Sequence, residues 1–290
     1  MTTRERVRIC LNNFNKVFGD NLISDLTVPA LNDYVETRRA DNMADSSINL
    51  ELTIAKQMIK NAFYADKISG DALKVFARLD TVFERGSNAR TVTISFQDYL
   101  KLLGAAPDYL KSVIIVAMNT GMRIESEILR LKWTQIDRKT GFIRLKKEDT
   151  KERKVKIIPI NNNVAQVLDS IMSHVHHPFV FTCQHRPMKK LSSFKVCCRK
   201  AGLPYGYKTE GGIVARDIRR TVKTNMVEAG VPEIYRDILL GHRKHGMDVH
   251  YIQPDEARLT AALGKYTTWL DNEIENCKLQ FCDQTSDHGK

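Results

Sequence analysis

The six cysteines, Cys10, Cys183, Cys197, Cys198, Cys277 and Cys282, include no CxxC pair. Adjacent Cys197 and Cys198 are poorly placed to share a tetrahedral metal, so the set reads as reduced intracellular thiols. The opening segment, MTTRERVRIC, has charges but no apolar stretch after them, which argues against a signal peptide. No run approaches the roughly 18 apolar residues of a membrane span. The expected location is the cytoplasm, with no membrane partner. Acidic residues are also short: 34 Asp and Glu face 45 Lys and Arg, a net charge of +11. With a pI near 9.3, that balance suits a nucleic-acid partner.

What is present suggests two domains within 290 residues. Residues 1–84 read as helices. Apolar Val7, Cys10, Leu11, Phe14, Val17 and Phe18 form a helical stripe. Ser24 or Thr27 caps a second helix with Pro29 early in it. Ser46-Ser47 caps a long helix through Phe63, and a short one covers Asp71–Val75. Residues 85–91 form a linker, and residues 92–275 a second domain that opens with Ser95 as N-cap. There, Phe142–Leu145 and Val155–Ile160 alternate as strands around a charged hairpin tip, Lys146–Lys154. A further strand is expected at Phe179–Thr182, and helices at Ser112–Met118 and Val164–Met172. Residues 276–290 read as a disordered tail. The fold class is mainly α with a small β-sheet, the second domain being α+β.

The histidines His174, His176 and His177 invite a metal reading, but no carboxylate or thiol lies at useful spacing. No metal site or cofactor is expected. Lys189–Arg199 is basic and amphipathic, and Lys195, Arg199 and Lys200 are candidates to lie along a phosphate backbone.

The densest chemistry lies in residues 211–254. Arg216 and Arg219 open an apparent helix and share a face. Ala229-Gly230-Val231-Pro232 ends that helix. A second, Glu233–Leu240, stops at Gly241, leaving His242 on the helix exit and Tyr251 nine residues later. Upstream, Thr120-Gly121-Met122-Arg123 precedes Ser126-Glu127, Leu131 and Trp133. Gly121 is expected to close one helix and start the next, with Arg123 near the new N-terminus, where an anion is favoured.

These pieces resemble the tyrosine recombinases, the phage-integrase family. The family's His-x-x-Arg is matched by Arg216 to Arg219, with arginine where histidine is usual. Leu240-Gly241-His242 and Tyr251 match the remainder, and Arg123 matches the family's first catalytic arginine. The resemblance implies a helical core-binding domain over residues 1–84, with Arg38, Arg39, Lys56 and Lys60 exposed toward DNA. It also implies a catalytic lysine on the hairpin, which the distance to Pro159 identifies as Lys151. Lys146, Lys147 and Lys154 are neighbouring alternatives. Glu127 would be a structural partner of the helix end.

The implied activity is site-specific recombination of double-stranded attachment sites by a tetramer on DNA, assembled through the C-terminal helix 257–274 or with that helix docked in cis. A directionality factor is an implied accessory. Tyr251 would attack phosphorus to give a 3′-phosphotyrosine, conserving bond energy without ATP. Arg123 and Arg219 would clamp the phosphate. His242 would donate to a non-bridging oxygen, and Lys151 would protonate the leaving 5′-oxygen. Arg216 cannot act as a base at neutral pH but can stabilise charge. Resolution of chromosome or plasmid dimers, or a catalytically lapsed DNA-binding relative, are the alternatives. The core-binding helices begin almost at Met1, leaving no room in this sequence for an arm-binding domain, which fits a simpler recombinase or a truncated chain equally.

Overall fold

The computed structural model describes residues 3–78, 90–172, 177–184, 186–242 and 255–286. The chain divides into two units, residues 1–91 and 92–290. The first is helical: α1 (Thr3–Phe18), α2 (Val28–Ala40), α3 (Asp45–Tyr64) and α4 (Asp71–Arg78). Phe14, Leu31, Tyr34, Ile48, Leu52, Ile59 and Phe76 make its core. Thr27 caps α2 by accepting from the Ala30 N–H, with Pro29 in the first turn. The serine cap expected for α3 is not used. That helix begins at Asp45, and its cap residue, Ala44, two residues before Ser46, makes no side-chain hydrogen bond.

In the second unit, α5 (Phe96–Ala105) and α6 (Asp108–Thr120) lead to a sheet of β1 (Ile136–Asp137), β2 (Phe142–Leu145) and β3 (Lys156–Pro159). The sheet is antiparallel in the order β1-β2-β3, with Ile143 opposite Ile158. Helix α7 (Asn162–Met172) follows, then a small ribbon of β4 (Thr182–Cys183) and β5 (Arg186–Pro187). Phe179 makes only an isolated bridge to Lys132, so the strand expected there begins at Thr182. Helices α8 (Ser193–Lys200), α9 (Ala215–Glu228), α10 (Glu233–Leu240) and α11 (Glu256–Ser286) complete the unit.

Ser95 caps α5, its hydroxyl accepting from the Asp98 N–H at 3.1 Å. Helix α6 is buried along its second half, from Val113 through Thr120, apart from the half-exposed Ile115, and sits at the centre of the core. Helix α11 lays Leu259, Leu263, Tyr266 and Leu270 into that same core, and the Tyr266 hydroxyl donates to the Met118 carbonyl at 2.7 Å. The apolar stripe of the C-terminal helix therefore docks in cis. The helix also continues past residue 276, where a disordered tail was expected, to Ser286. No glycine or proline interrupts residues 265–286, so nothing in the backbone chemistry stops it. Among the described residues no helix is long and apolar enough to cross a membrane.

Candidate active site

Two glycine turns shape the site. Gly121 closes α6 at φ +62° and Gly241 closes α10 at φ +67°, both in the left-handed region. At Gly241 the chain makes a Schellman cap. The Gly241 N–H donates to the Ile238 carbonyl, and the His242 N–H to the Asp237 carbonyl at 2.8 Å. Arg219, one turn into α9, reaches across to both turns. Its guanidinium donates to the Gly121 carbonyl at 2.8 Å and to the Leu240 carbonyl. One arginine thus ties together the turn before Arg123 and the turn before His242.

No α-helix starts after Gly121. The chain makes a turn closed by Glu127 N–H to Arg123 C=O, then a short 3-10 segment at Ile128–Arg130. The physical cause is Glu127, whose carboxylate, with none of its side chain exposed, turns back on the segment. It accepts from the Arg123 N–H at 3.0 Å and from the Arg123 guanidinium at 2.8 Å. The helix N-terminus expected at Arg123 is therefore absent, and its N–H groups cannot serve an anion there. Where the recombinase pattern has its acidic residue three after the arginine, this chain has Ser126, and Glu127 supplies the carboxylate one position later.

Lys156 is the component that sequence reading missed. It is 4% exposed, and its Nζ donates to Glu127 at 2.8 Å. Burial pushes the ammonium down to about 8; Glu127 opposes that, while the Arg219 charge adds to it. Burial and then the charge of Arg123 push Arg219 down to about 10. Burial would raise Glu127, but Lys156, the Arg123 N–H and Arg219 hold it below the usual carboxylate range. In the strand's two-residue alternation Lys156 shares the inward face with Ile158 while Val155 is exposed, a register that the run of charges before it does not announce.

Glu152, on the hairpin between β2 and β3, was also missed. Its carboxylate meets both terminal nitrogens of Arg123, one at 2.8 Å. Lys151, the residue chosen on that hairpin, is exposed and takes no part in this network. His242 is half-buried, with Nδ1 3.3 Å from Asp237 Oδ1. Burial and the Arg219 charge lower its pKa, partly offset by Asp237. With Nδ1–H directed at Asp237, the neutral ring carries no proton on Nε2, so donation to a phosphate oxygen from that nitrogen requires the imidazolium.

Arg216 is exposed in the first turn of α9, while Arg219 on the same helix turns inward. Between them Asp217 is buried, capping the helix by accepting from the Val214 N–H at 2.9 Å and pairing with Arg220 at 2.6 Å. Tyr251, His174 and His176 lie outside the described residues. His177 accepts from the Phe179 N–H at 3.1 Å. Among the described residues no group of three His, Cys, Asp or Glu could hold a metal.

Lys195, Arg199 and Lys200 are exposed along α8. In the helical unit, Arg39, Lys56 and Lys60 are exposed, and Arg39 is paired with Glu36 at 2.6 Å. Arg38 is not exposed toward a partner. Its side chain is 14% exposed and grips buried Glu51 through Nε at 3.0 Å and NH2 at 2.9 Å. Glu51 also takes hydrogen bonds from Tyr34 and Asn13, so Arg38 serves the core of its own unit.

In the second unit two arginines, a lysine and a histidine thus gather beside two glycine turns, with Glu127 and Glu152 among them. Residues 93–258 match the model of the phage integrase family, and the chain belongs to that family. Transposase B from transposon Tn554 of Staphylococcus aureus is 24% identical over 200 residues, which cover 62% of this chain and 32% of that protein. The integrase of Salmonella phage P22 is 27% identical over 142 residues, covering 46% of this chain and 36% of the phage protein. The chain thus spans about a third of the length of these relatives. In fold it is similar to lambda integrase residues 75–356, solved as a dimer bound to a COC′ core site. The TM-score is 0.68 at 15% identity, covering 88% of this chain and 92% of that one. The Tn1549 transposon integrase, solved with circular intermediate DNA, has a TM-score of 0.65 at 16% identity, covering 90% and 93%.

Proposed function

We propose that this chain is a site-specific DNA recombinase of a phage or other mobile element, cleaving and rejoining strands through a 3′-phosphotyrosine. The observation that carries the proposal is the convergence of Arg123, Arg219 and His242, with Arg219 linking the turn before Arg123 to the turn before His242. The Arg219 guanidinium spends two donors on those carbonyls and keeps others for a phosphate. Preorganised cations of this kind meet the charge that grows on non-bridging oxygens in phosphoryl transfer. The transposase and phage-integrase relatives support a mobile element over dimer resolution.

In the reaction, the Tyr251 phenol loses its proton to water or to a phosphate oxygen, its oxygen attacks phosphorus, the bond to the 5′-oxygen breaks, and that oxygen leaves with a proton from Lys151. One phosphodiester replaces another, so no nucleotide is consumed. Arg123 and Arg219 hold the non-bridging oxygens. His242 donates from Nε2 as an imidazolium, a state favoured by the negative phosphate beside it. Arg216 lends positive charge near the phenol. The two units correspond to a core-binding domain and a catalytic domain, with Arg39, Lys56, Lys60, Lys195, Arg199 and Lys200 on phosphates. Assembly as a tetramer on DNA, with a directionality factor, in a bacterial cytoplasm, completes the reading. A tetramer of lambda integrase on a Holliday junction shares this fold with a TM-score of 0.66.

The test is a nicked duplex carrying DNA from the flanks of the gene. A covalent protein–DNA adduct that survives denaturant is expected, and Tyr251→Phe removes it. Duplex binding without any adduct overturns the proposal.

A further inference from the structure

Arg123 is not idle in the free protein. Both of its terminal nitrogens are held by the Glu152 carboxylate, end-on and bidentate, a geometry a guanidinium also uses for two oxygens of a phosphate. The two acidic residues on Arg123 differ in kind. Glu127 is wholly buried and is tied to the Arg123 backbone, to the Arg123 side chain and to Lys156. Glu152 keeps 17% of its side chain exposed and stands on a hairpin turn. It lies against the turn that presents His242, because a β-carbon placed on Gly241 would be 4.0 Å from Glu152 Oε2. The carboxylate therefore lies on Arg123 and beside the glycine turn that precedes His242.

The turn that aims it inward is strained. Arg153, directly after Glu152, sits at φ +53°, in the left-handed region that side chains other than glycine disfavour. Thr150 closes this turn, its hydroxyl donating to the Lys154 carbonyl at 2.7 Å and accepting from the Lys154 N–H at 3.0 Å. Lys151, next to Glu152, is left exposed.

We infer that Glu152 is a built-in occupant of the phosphate site on Arg123, and that it holds the hairpin with Lys151 turned outward until a phosphodiester displaces it. Arg123, Lys156 and Arg219 bring three positive charges and Glu127 and Glu152 two negative ones, so the occupied site is nearly neutral. An arriving phosphate restores that balance as Glu152 leaves, and the freed turn can carry Lys151 toward the leaving oxygen. Substrate binding and delivery of the general acid become one event. The inference rests on the proposed role of Arg123 as a phosphate clamp.

The test uses the full chain with inorganic phosphate as the probe, and reads hydrogen exchange of the amides of residues 147–155. In the wild type these amides exchange slowly without phosphate and several-fold faster with it. Glu152→Gln and Glu152→Ala exchange fast in either condition. They bind inorganic phosphate about tenfold more tightly, as expected if nine free molecules in ten carry the pair. Arg123→Gln releases the hairpin likewise and loses the phosphate response. Unchanged hairpin exchange in both Glu152 variants, or unchanged phosphate affinity, overturns the inference. The measurement needs no DNA, so it fails or succeeds separately from the phosphotyrosine adduct.

Discussion

Lys156 is an ammonium placed where a strand residue would normally be apolar. Its tolerance comes from Glu127 at 2.8 Å, and Glu127 in turn orients Arg123. Removing one partner of a buried pair leaves the other uncompensated, which typically costs 3–5 kcal/mol. Because Arg123 still contacts Glu127, Lys156→Met should fall at the low end, about 3 kcal/mol, read from the urea midpoint. A change below about 0.5 kcal/mol would show that the pair is not structural. Arg123, Arg219 and His242 were legible in the sequence because each stands beside a glycine turn or at fixed spacing from one. Lys156 and Glu152 were not, because they lie in a run of charges, KKEDTKERKVK, where only the pairing register decides which residue faces inward.

Among the elements, the junction of α6, α9 and α10 controls the site. Gly121 has φ +62°, and a β-carbon there would lie 2.5 Å from Leu240 Cδ2 and 3.0 Å from Val222 Cγ1. Gly121→Ala thus combines a left-handed penalty with overpacking, together about 3 kcal/mol. Thermal denaturation should record a lower midpoint, and an unchanged midpoint would mean that α10 can shift at no cost. Helix α10 matched its sequence bounds because proline and glycine punctuate both ends. The segment after Gly121 did not match, because Glu127 captures the backbone N–H and the guanidinium of Arg123 from a distance that local propensity does not register. Helix α11 outran its expected end for the opposite reason: polar composition suggested a tail, yet no residue there breaks a helix.

For the molecule as a whole, the net charge of +11 is informative only once its location is known. Some cations serve the interior: Arg38 with Glu51, Lys156 with Glu127, Arg219 with two carbonyls. Exposed Lys195 and Arg199 on α8 remain available to phosphates. Each phosphate contact should contribute about −0.9 to the slope of log affinity against log salt. Lys195→Gln and Arg199→Gln should each flatten that slope by about 0.9 in duplex titrations at several salt concentrations. An unchanged slope removes α8 from the interface.

Arg219 carries a last implication. Because it seals the ends of two helices, the scaffold depends on it whether or not any strand is ever cut. A lineage abandoning the chemistry would lose it first at positions with no duty in the framework, such as exposed Lys151, while this guanidinium persisted. Its presence in a distant copy would therefore testify to an intact frame, not to a living activity.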